Sequence, residues 1–198
     1  IGAGKTGIDA VLYLLNQGVD PSTIRWVINR DVWYYNRASI SSDQILDLQI
    51  NTFRAILEAK SVDEVFQISE TKGNLLKLDS RLKPKVFRCA TITAEERDQV
   101  CQIGEMIRLG YVQKIEADQI VLDQGTVPTS PDILHVDCTA NGLMRRPAVP
   151  IFQDEKIVLQ PMFTCQQVFS AAVIAMIEVL LKDDQQRNKA LQASPHPN

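Results

Sequence analysis

The chain opens on Ile1-Gly2-Ala3-Gly4-Lys5-Thr6-Gly7, a spacing of glycines, lysine and threonine suited to binding phosphate. Two kinds of site begin this way. In one, Gly2, Gly4 and Gly7 form a GxGxxG turn. The first glycine bends the chain, the second lets the main chain approach a pyrophosphate, and the third lets helix and strand pack closely. The helix behind the turn then offers unpaired N–H groups and a favourable dipole to the anion. In the other, Gly4-Lys5-Thr6 is the end of a Walker A loop, with Lys5 on the β- and γ-phosphates and Thr6 on a magnesium ion. Ile133-Leu134-His135-Val136-Asp137 would then imitate a Walker B strand.

The residues behind the turn separate the two. Ile8, Val11, Leu12 and Leu15 recur at three- and four-residue steps, so a helix with one apolar face lies behind the glycines. Asn16-Gln17-Gly18 ends it, with Gly18 suited to a left-handed cap. Pro21-Ser22 makes a turn, and Ile24 to Ile28 reads as a second strand ending in Asn29-Arg30-Asp31. In a dinucleotide-binding fold an acidic residue here binds the ribose 2′-hydroxyl, whereas an arginine accommodates a 2′-phosphate. Arg30 leans toward NADP rather than NAD, with the acidic Asp31 beside it as the competing signal. A P-loop enzyme makes no demand on Arg30, and nothing else completes its magnesium site. The dinucleotide reading is therefore favoured, and Gly2, Ala3, Gly4, Lys5, Thr6, Gly7 and Arg30 are its candidate contacts. Such a turn needs a strand to deliver it, and only Ile1 could belong to one. The chain is accordingly expected to be a piece of a longer protein.

A length of 198 residues suits one large domain or one and a half. Twenty-one Lys+Arg against 24 Asp+Glu leave a net charge of −3, which argues against a nucleic-acid or anionic-membrane binder. The longest apolar run, Val168 to Leu181, carries Glu178 and falls short of the roughly 18 residues a membrane span needs. Cys89, Cys101, Cys138 and Cys165 are far apart, which excludes a CxxC redox pair and the common zinc arrangements. Buried, reduced thiols in a cytoplasmic protein are the expectation. With only His135 and His196 available, a histidine base is a poor candidate, and His135 reads as a satisfied core residue.

The rest of the pattern indicates the elements that must position the turn. Trp33-Tyr34-Tyr35 would flank an adenine, line a substrate mouth or pack against the domain. Ser41 to Lys60 and Ser61 to Ser69 read as helices, making a helical insertion over about 41–82 of the kind that builds substrate pockets. Lys85 to Ala90 reads as a strand. Thr93 with Glu96 forms a capping box for a helix running to about Arg108. Tyr111 to Glu116 pairs with Gln119 to Leu122, a turn comes next at Asp123-Gln124-Gly125, and Ile133 to Val136 is a further strand. Val168 to Leu181 is an apolar helix, and Asp183 to Asn198 a polar tail expected to fray.

Three stretches carry a resemblance: Ile-Gly-Ala-Gly-Lys-Thr-Gly-Ile-Asp-Ala at the start, Arg25 to Asp31, and Val136-Asp137-Cys138-Thr139-Ala140-Asn141-Gly142-Leu143. Together with Ile157 to Gln160 and Ser170 to Ala172, they resemble bacterial FAD/NAD(P)-binding oxidoreductases. That family is similar to flavin-containing monooxygenases and pyridine-nucleotide reductases; the lack of CxxC argues against the disulfide-reductase branch. The resemblance implies an α/β fold: a Rossmann-like NAD(P)-binding domain over 1–136, then the C-terminal part of a split FAD-binding domain over 137–182. The polar tail over 183–198 completes the chain. It implies FAD and NADP as cofactors, with Thr139, Ala140, Gly142, Gln160 and Gln166 as further contacts. The helix starting near Gln166 would point its positive end at the flavin. The implied chemistry is hydride transfer from NADPH to FAD and on to oxygen or another acceptor, and the resemblance assigns no catalytic side chain. The implied partners are a small-molecule substrate and an N-terminal FAD-binding segment of the same protein. The alternatives are a P-loop nucleotide hydrolase and a non-catalytic NADP-sensing domain.

Overall fold

Directly behind the glycines lies the expected helix, α1 (Lys5–Asn16), with Ile8, Val11 and Leu12 buried on one face. The computed structural model describes residues 1–140, 149–161 and 167–192. They fall into two compact units, Ile1–Ala140 and Asn141–Asn198. After α1 the first unit continues through β1 (Arg25–Val27), β2 (Val32–Asn36), α2 (Ile45–Glu58), α3 (Val62–Thr71) and β3 (Leu75–Leu76). It is completed by β4 (Val86–Ile92), α4 (Ala94–Val100), β5 (Glu105–Ile107), β6 (Val112–Ile115), β7 (Gln119–Leu122) and β8 (Gly125–Pro128). The architecture is mixed α/β with several small sheets.

The sheet that carries the glycine turn is parallel. β1 pairs with β5 in register Arg25–Glu105 to Val27–Ile107, and the ladder extends through Ile28 N to Ile107 O at 2.8 Å. On the other side of β1, Gly2 N donates to Val27 O at 2.8 Å. Ile1 N then donates to Val136 O, and Cys138 N donates back to Ile1 O, both at 2.9 Å. Because these two bonds flank Asp137, residues 1 and 137 are parallel neighbours. The spatial order is thus β5, β1, residues 1–2, residues 136–138. Ile8, Trp26, Ile28, Tyr34, Ile92, Val100 and Ile103 form the main core. Each large side chain so buried contributes about 1.5–3 kcal/mol relative to exposure.

β2 heads a second sheet, antiparallel to β3 and parallel to β4, with α2 and α3 occupying the expected insertion. The capping box forms as expected: Thr93 Oγ1 accepts from Glu96 N, and Glu96 Oε2 accepts from Thr93 N. Its helix, however, ends at Val100 instead of Arg108. Gly104 disfavours continuation, and Glu105–Ile107 gains a parallel ladder with β1, burying Ile107 against Val27. Beyond it β6, β7 and β8 make an antiparallel meander, in which the third strand had no separate signal. Ile133 to Val136 is not a ladder strand: Leu134 is 86% exposed, and the segment reaches the sheet through Val136 O.

The second unit contains β9 (Phe152–Gln153), β10 (Lys156–Ile157), α5 (Gln167–Leu180) and α6 (Asp184–Gln192). The expected fraying tail is therefore a helix over 184–192. Asn188 holds it in place, its Oδ1 accepting from Ile151 N and Phe152 N while its Nδ2 donates to Phe152 O. Leu191 joins Ile151, Phe152 and Ile174 in a small core. No helix among the described residues is long and apolar enough to cross a membrane.

Candidate functional site

The three glycines at the front meet three different physical demands. Gly2 has φ +109°, a conformation side chains rarely adopt, and a Cβ there would lie 3.0 Å from Cys138 O. A Cβ on Gly7 would sit 2.1 Å from Gly2 O, so α1 can start this close to the turn only with glycine there. Gly4 is different. It is extended at φ −73°, ψ 179°, and a Cβ on it would meet nothing within 4 Å. Neither backbone conformation nor packing requires glycine at that position, whereas close approach of a ligand would.

The core grips the carbonyl side of the turn. Trp26 Nε1 donates to Gly2 O at 2.8 Å, and Tyr34 Oη donates to Ala3 O at 2.5 Å, both bonds buried. Burial pushes the Tyr34 phenol well above its usual range, with the Asp31 charge adding to the effect, so the hydroxyl stays a donor. The first amide of α1 to find a backbone partner is that of Ile8, which donates to Gly4 O at 3.1 Å. The amides of Lys5, Thr6 and Gly7 have no carbonyl a turn earlier to bond, and Gly4 brings no side-chain cap. Donors therefore gather where Gly4 leaves space.

Two of the residues a Walker A reading would use, Lys5 and Asp137, are paired within the chain. Ile1 is hydrogen-bonded in the sheet, which leaves only Gly2 to Gly4 as the turn. The Lys5 ammonium pairs with the Asp9 carboxylate one helical turn on, and Thr6 is exposed. Asp137, the Walker B stand-in, accepts from Thr139 N at 2.8 Å and Thr139 Oγ1 at 2.7 Å. Those bonds hold its carboxyl below the usual range.

At the far end of β1, Arg30 is exposed and its guanidinium lies 5.4 Å from the centre of the Tyr111 ring. Asp31 is engaged elsewhere, since both of its oxygens lie 3.2 Å from Arg108 Nε. The acidic residue that competed with Arg30 in the sequence is thus neutralised, and no carboxylate among the described residues pairs with Arg30. Sequence reasoning missed Arg108 and Tyr111. They are about eighty residues away along the chain, and only the β1–β5 pairing brings them close.

The structure joins some of the remaining candidates and separates others. Thr139 packs on the turn, its Cγ2 being 3.2 Å from a Cβ placed on Gly2, and Ala140 follows it exposed. Gln160 belongs to the second unit, where its Nε2 donates to Val149 O at 2.8 Å. Gly142 and Gln166 lie outside the described residues. His135 is half-buried rather than in the core, with Nε2 2.9 Å from Thr129 Oγ1. Cys101 is exposed and Cys138 half-buried, both free, against the expectation of buried thiols. Cys165 is outside the described residues. Of the aromatic run, Tyr34 braces the turn through Ala3. No metal-binding cluster occurs among the described residues.

The fold and turn define an α/β protein with a glycine turn joining a parallel sheet to a helix. Over 203 aligned residues the chain is 41% identical to an uncharacterized protein of Mycobacterium tuberculosis and equally to one of Mycobacterium bovis. The alignments take in all of this chain and 38% of each relative, so the chain spans well under half of their length. No family model and no solved structure matches.

Proposed function

We propose that the chain is the NADP-binding portion of a flavin-dependent oxidoreductase, with a Rossmann-like first unit. One observation carries the reading. Residues 1–2 hydrogen-bond to β1 on one side and to residues 136–138 on the other, and β5 pairs with β1; counted along the chain, residues 1–2, β1, β5 and residues 136–138 are the first to fourth of these segments. Their spatial order is third, second, first, fourth. Doubly wound folds that bind dinucleotides share this order and place the ligand where it reverses, outside the carboxyl ends of the strands. Here that crevice corresponds to Gly2–Gly4 beside Cys138–Thr139, and Arg30 at the end of the second segment suits a 2′-phosphate.

The residues of the turn fit such a cofactor: an open flank at Gly4, unpaired amides of α1, and carbonyls drawn into the core. When bound, NADPH supplies the hydride, and the flavin accepts it. This chain's part is to hold the pyrophosphate on Gly4 and the first turn of α1. Arg30 selects the phosphorylated nucleotide, with Tyr111 supporting its guanidinium.

The flavin half of the proposal rests on the sequence resemblance. Thr139 and Gln160 make their described polar contacts within the chain. Val168, Met176 and Val179, each more than half exposed, lie along one side of α5 and give it an apolar face that the rest of a split FAD domain would cover.

Calorimetric titration of the chain with NADPH, NADH and Mg-ATP tests the nucleotide reading. NADPH is expected to bind most tightly. Binding of Mg-ATP that Lys5→Ala abolishes, or no binding of any nicotinamide nucleotide, would overturn it.

A further inference from the structure

Helix α2 has two apolar faces, and the fold uses one of them. Leu48 and Ala55 are buried on the side that turns inward, where the helix packs beside α3. On the other side stand Leu46, Ile50, Phe53 and Leu57, at 68%, 38%, 63% and 84% exposure. At about 3.6 residues per turn these four fall within roughly 60° of one another and nearly opposite Leu48 and Ala55. A surface helix normally gives its outer side to polar residues. Here the outer side carries apolar residues at steps of four, three and four, the spacing of a coiled-coil seam.

The charges beside the stripe indicate what covers it. Asp47 and Arg54 lie on the same flank, both exposed and neither with a charged partner among the described residues. When two identical helices pack antiparallel about a twofold axis, like flanks face each other. Leu46 then meets the partner's Leu57, Ile50 meets the partner's Phe53, and Asp47 comes opposite the partner's Arg54. Symmetry makes that ion pair twice. A parallel pairing would instead set both charges against the flank of Gln49 and Ile56, where neither finds an opposite charge. The stripe is complementary to itself in one orientation, in its apolar layers and in its charges.

We propose that a second copy of this chain covers the stripe, the two α2 helices packing antiparallel with Asp47 of each opposite Arg54 of the other. The surface shares no residue with the glycine turn and does not depend on the nucleotide reading. A seam about 20 Å long is short beside stable interfaces of roughly 1,200–2,000 Å². A reversible dimer with a Kd on the order of 10 μM is therefore expected.

Sedimentation equilibrium of the full chain over about 1–300 μM, a range that brackets the expected Kd, measures the self-association. Asp47→Arg and Arg54→Asp each bring like charges together twice and should each weaken the dimer about tenfold or more. The double exchange should restore it. Phe53→Glu, at an exposed position, should leave a folded monomer. A wild-type chain that stays monomeric throughout the range would overturn the proposal and leave the stripe to a different partner. A dimer indifferent to these substitutions, or a double exchange as weak as the single ones, would overturn it as well. The wild-type concentration series still tests the proposal if a variant does not fold.

Discussion

Gly7→Ala and Gly4→Ala should have opposite consequences, and the contrast comes from the space around each residue. A Cβ on Gly7 would lie 2.1 Å from Gly2 O, so helix and turn must part by about an ångström to reach ordinary contact. Overpacking of this kind costs roughly 1–3 kcal/mol. Pulling Gly2 or Ala3 away from Trp26 or Tyr34 forfeits a buried hydrogen bond worth about 1 kcal/mol more. A total near 3 kcal/mol corresponds to a fall in Tm of roughly 6–12 °C at this size. Gly4→Ala meets nothing within 4 Å and keeps an ordinary backbone conformation. Its small loss as a helix cap and its gain from a stiffer unfolded chain leave stability within about 1 kcal/mol of wild type. The new methyl nevertheless stands where the pyrophosphate must come, and NADPH affinity should drop more than tenfold. Thermal melts and calorimetric titration of both variants measure the two effects. A Gly7→Ala protein as stable as wild type, or a Gly4→Ala protein that binds NADPH unchanged, would refute the reasoning.

Three further outcomes are expected. Arg30→Ala should weaken NADPH by about ten- to a hundredfold, the value of charge-assisted bonds to phosphate, and leave NADH unchanged in the same titration; equal losses for both would count against a 2′-phosphate role. Tyr34 keeps its proton in the fold while the unfolded chain ionises near pH 10, so its contribution is present below that pH and lost as pH rises beyond it. Denaturant melts should show this alkaline decline shrinking in Tyr34→Phe, and an unchanged slope would contradict the burial argument. Asn188→Ala removes bonds to Ile151 N, Phe152 N and Phe152 O and should cost about 2–3 kcal/mol in the second unit. Hydrogen exchange at the Ile151 and Phe152 amides should accelerate; unaltered protection would show that α6 is held by other means.

Local signals in the sequence were reliable where the physics is local. The apolar spacing behind Gly7 gave α1, and Thr93 with Glu96 gave the start of α4. Pairing between distant segments was harder to read. β5 is three residues long and comes after a helix without a strong stop, so only its ladder with β1 reveals it as a strand. α6 is polar along most of its length, and it is held by Leu191 in the small core and by Asn188 bonding to residues 36 and 37 positions earlier. At the site, the roles of Gly2 and Gly7 were legible because φ and close approach restrict those positions to glycine. The bracing by Trp26 and Tyr34 was not, since aromatic residues in a strand carry no mark of which carbonyl they will meet. Nor was the neutralisation of Asp31 by Arg108, a contact spanning 77 residues that exists only in the folded sheet.

Backbone amide spectra of the labelled chain, titrated with NADP, bear on the whole account at once. Saturable shifts concentrated at Gly2 to Gly7, at Thr139 and around Arg30 and Tyr111 are predicted, with NAD moving the same amides except those near Arg30. Shifts confined to other parts of the chain, or a glycine turn that responds to Mg-ATP and ignores NADP, would contradict it.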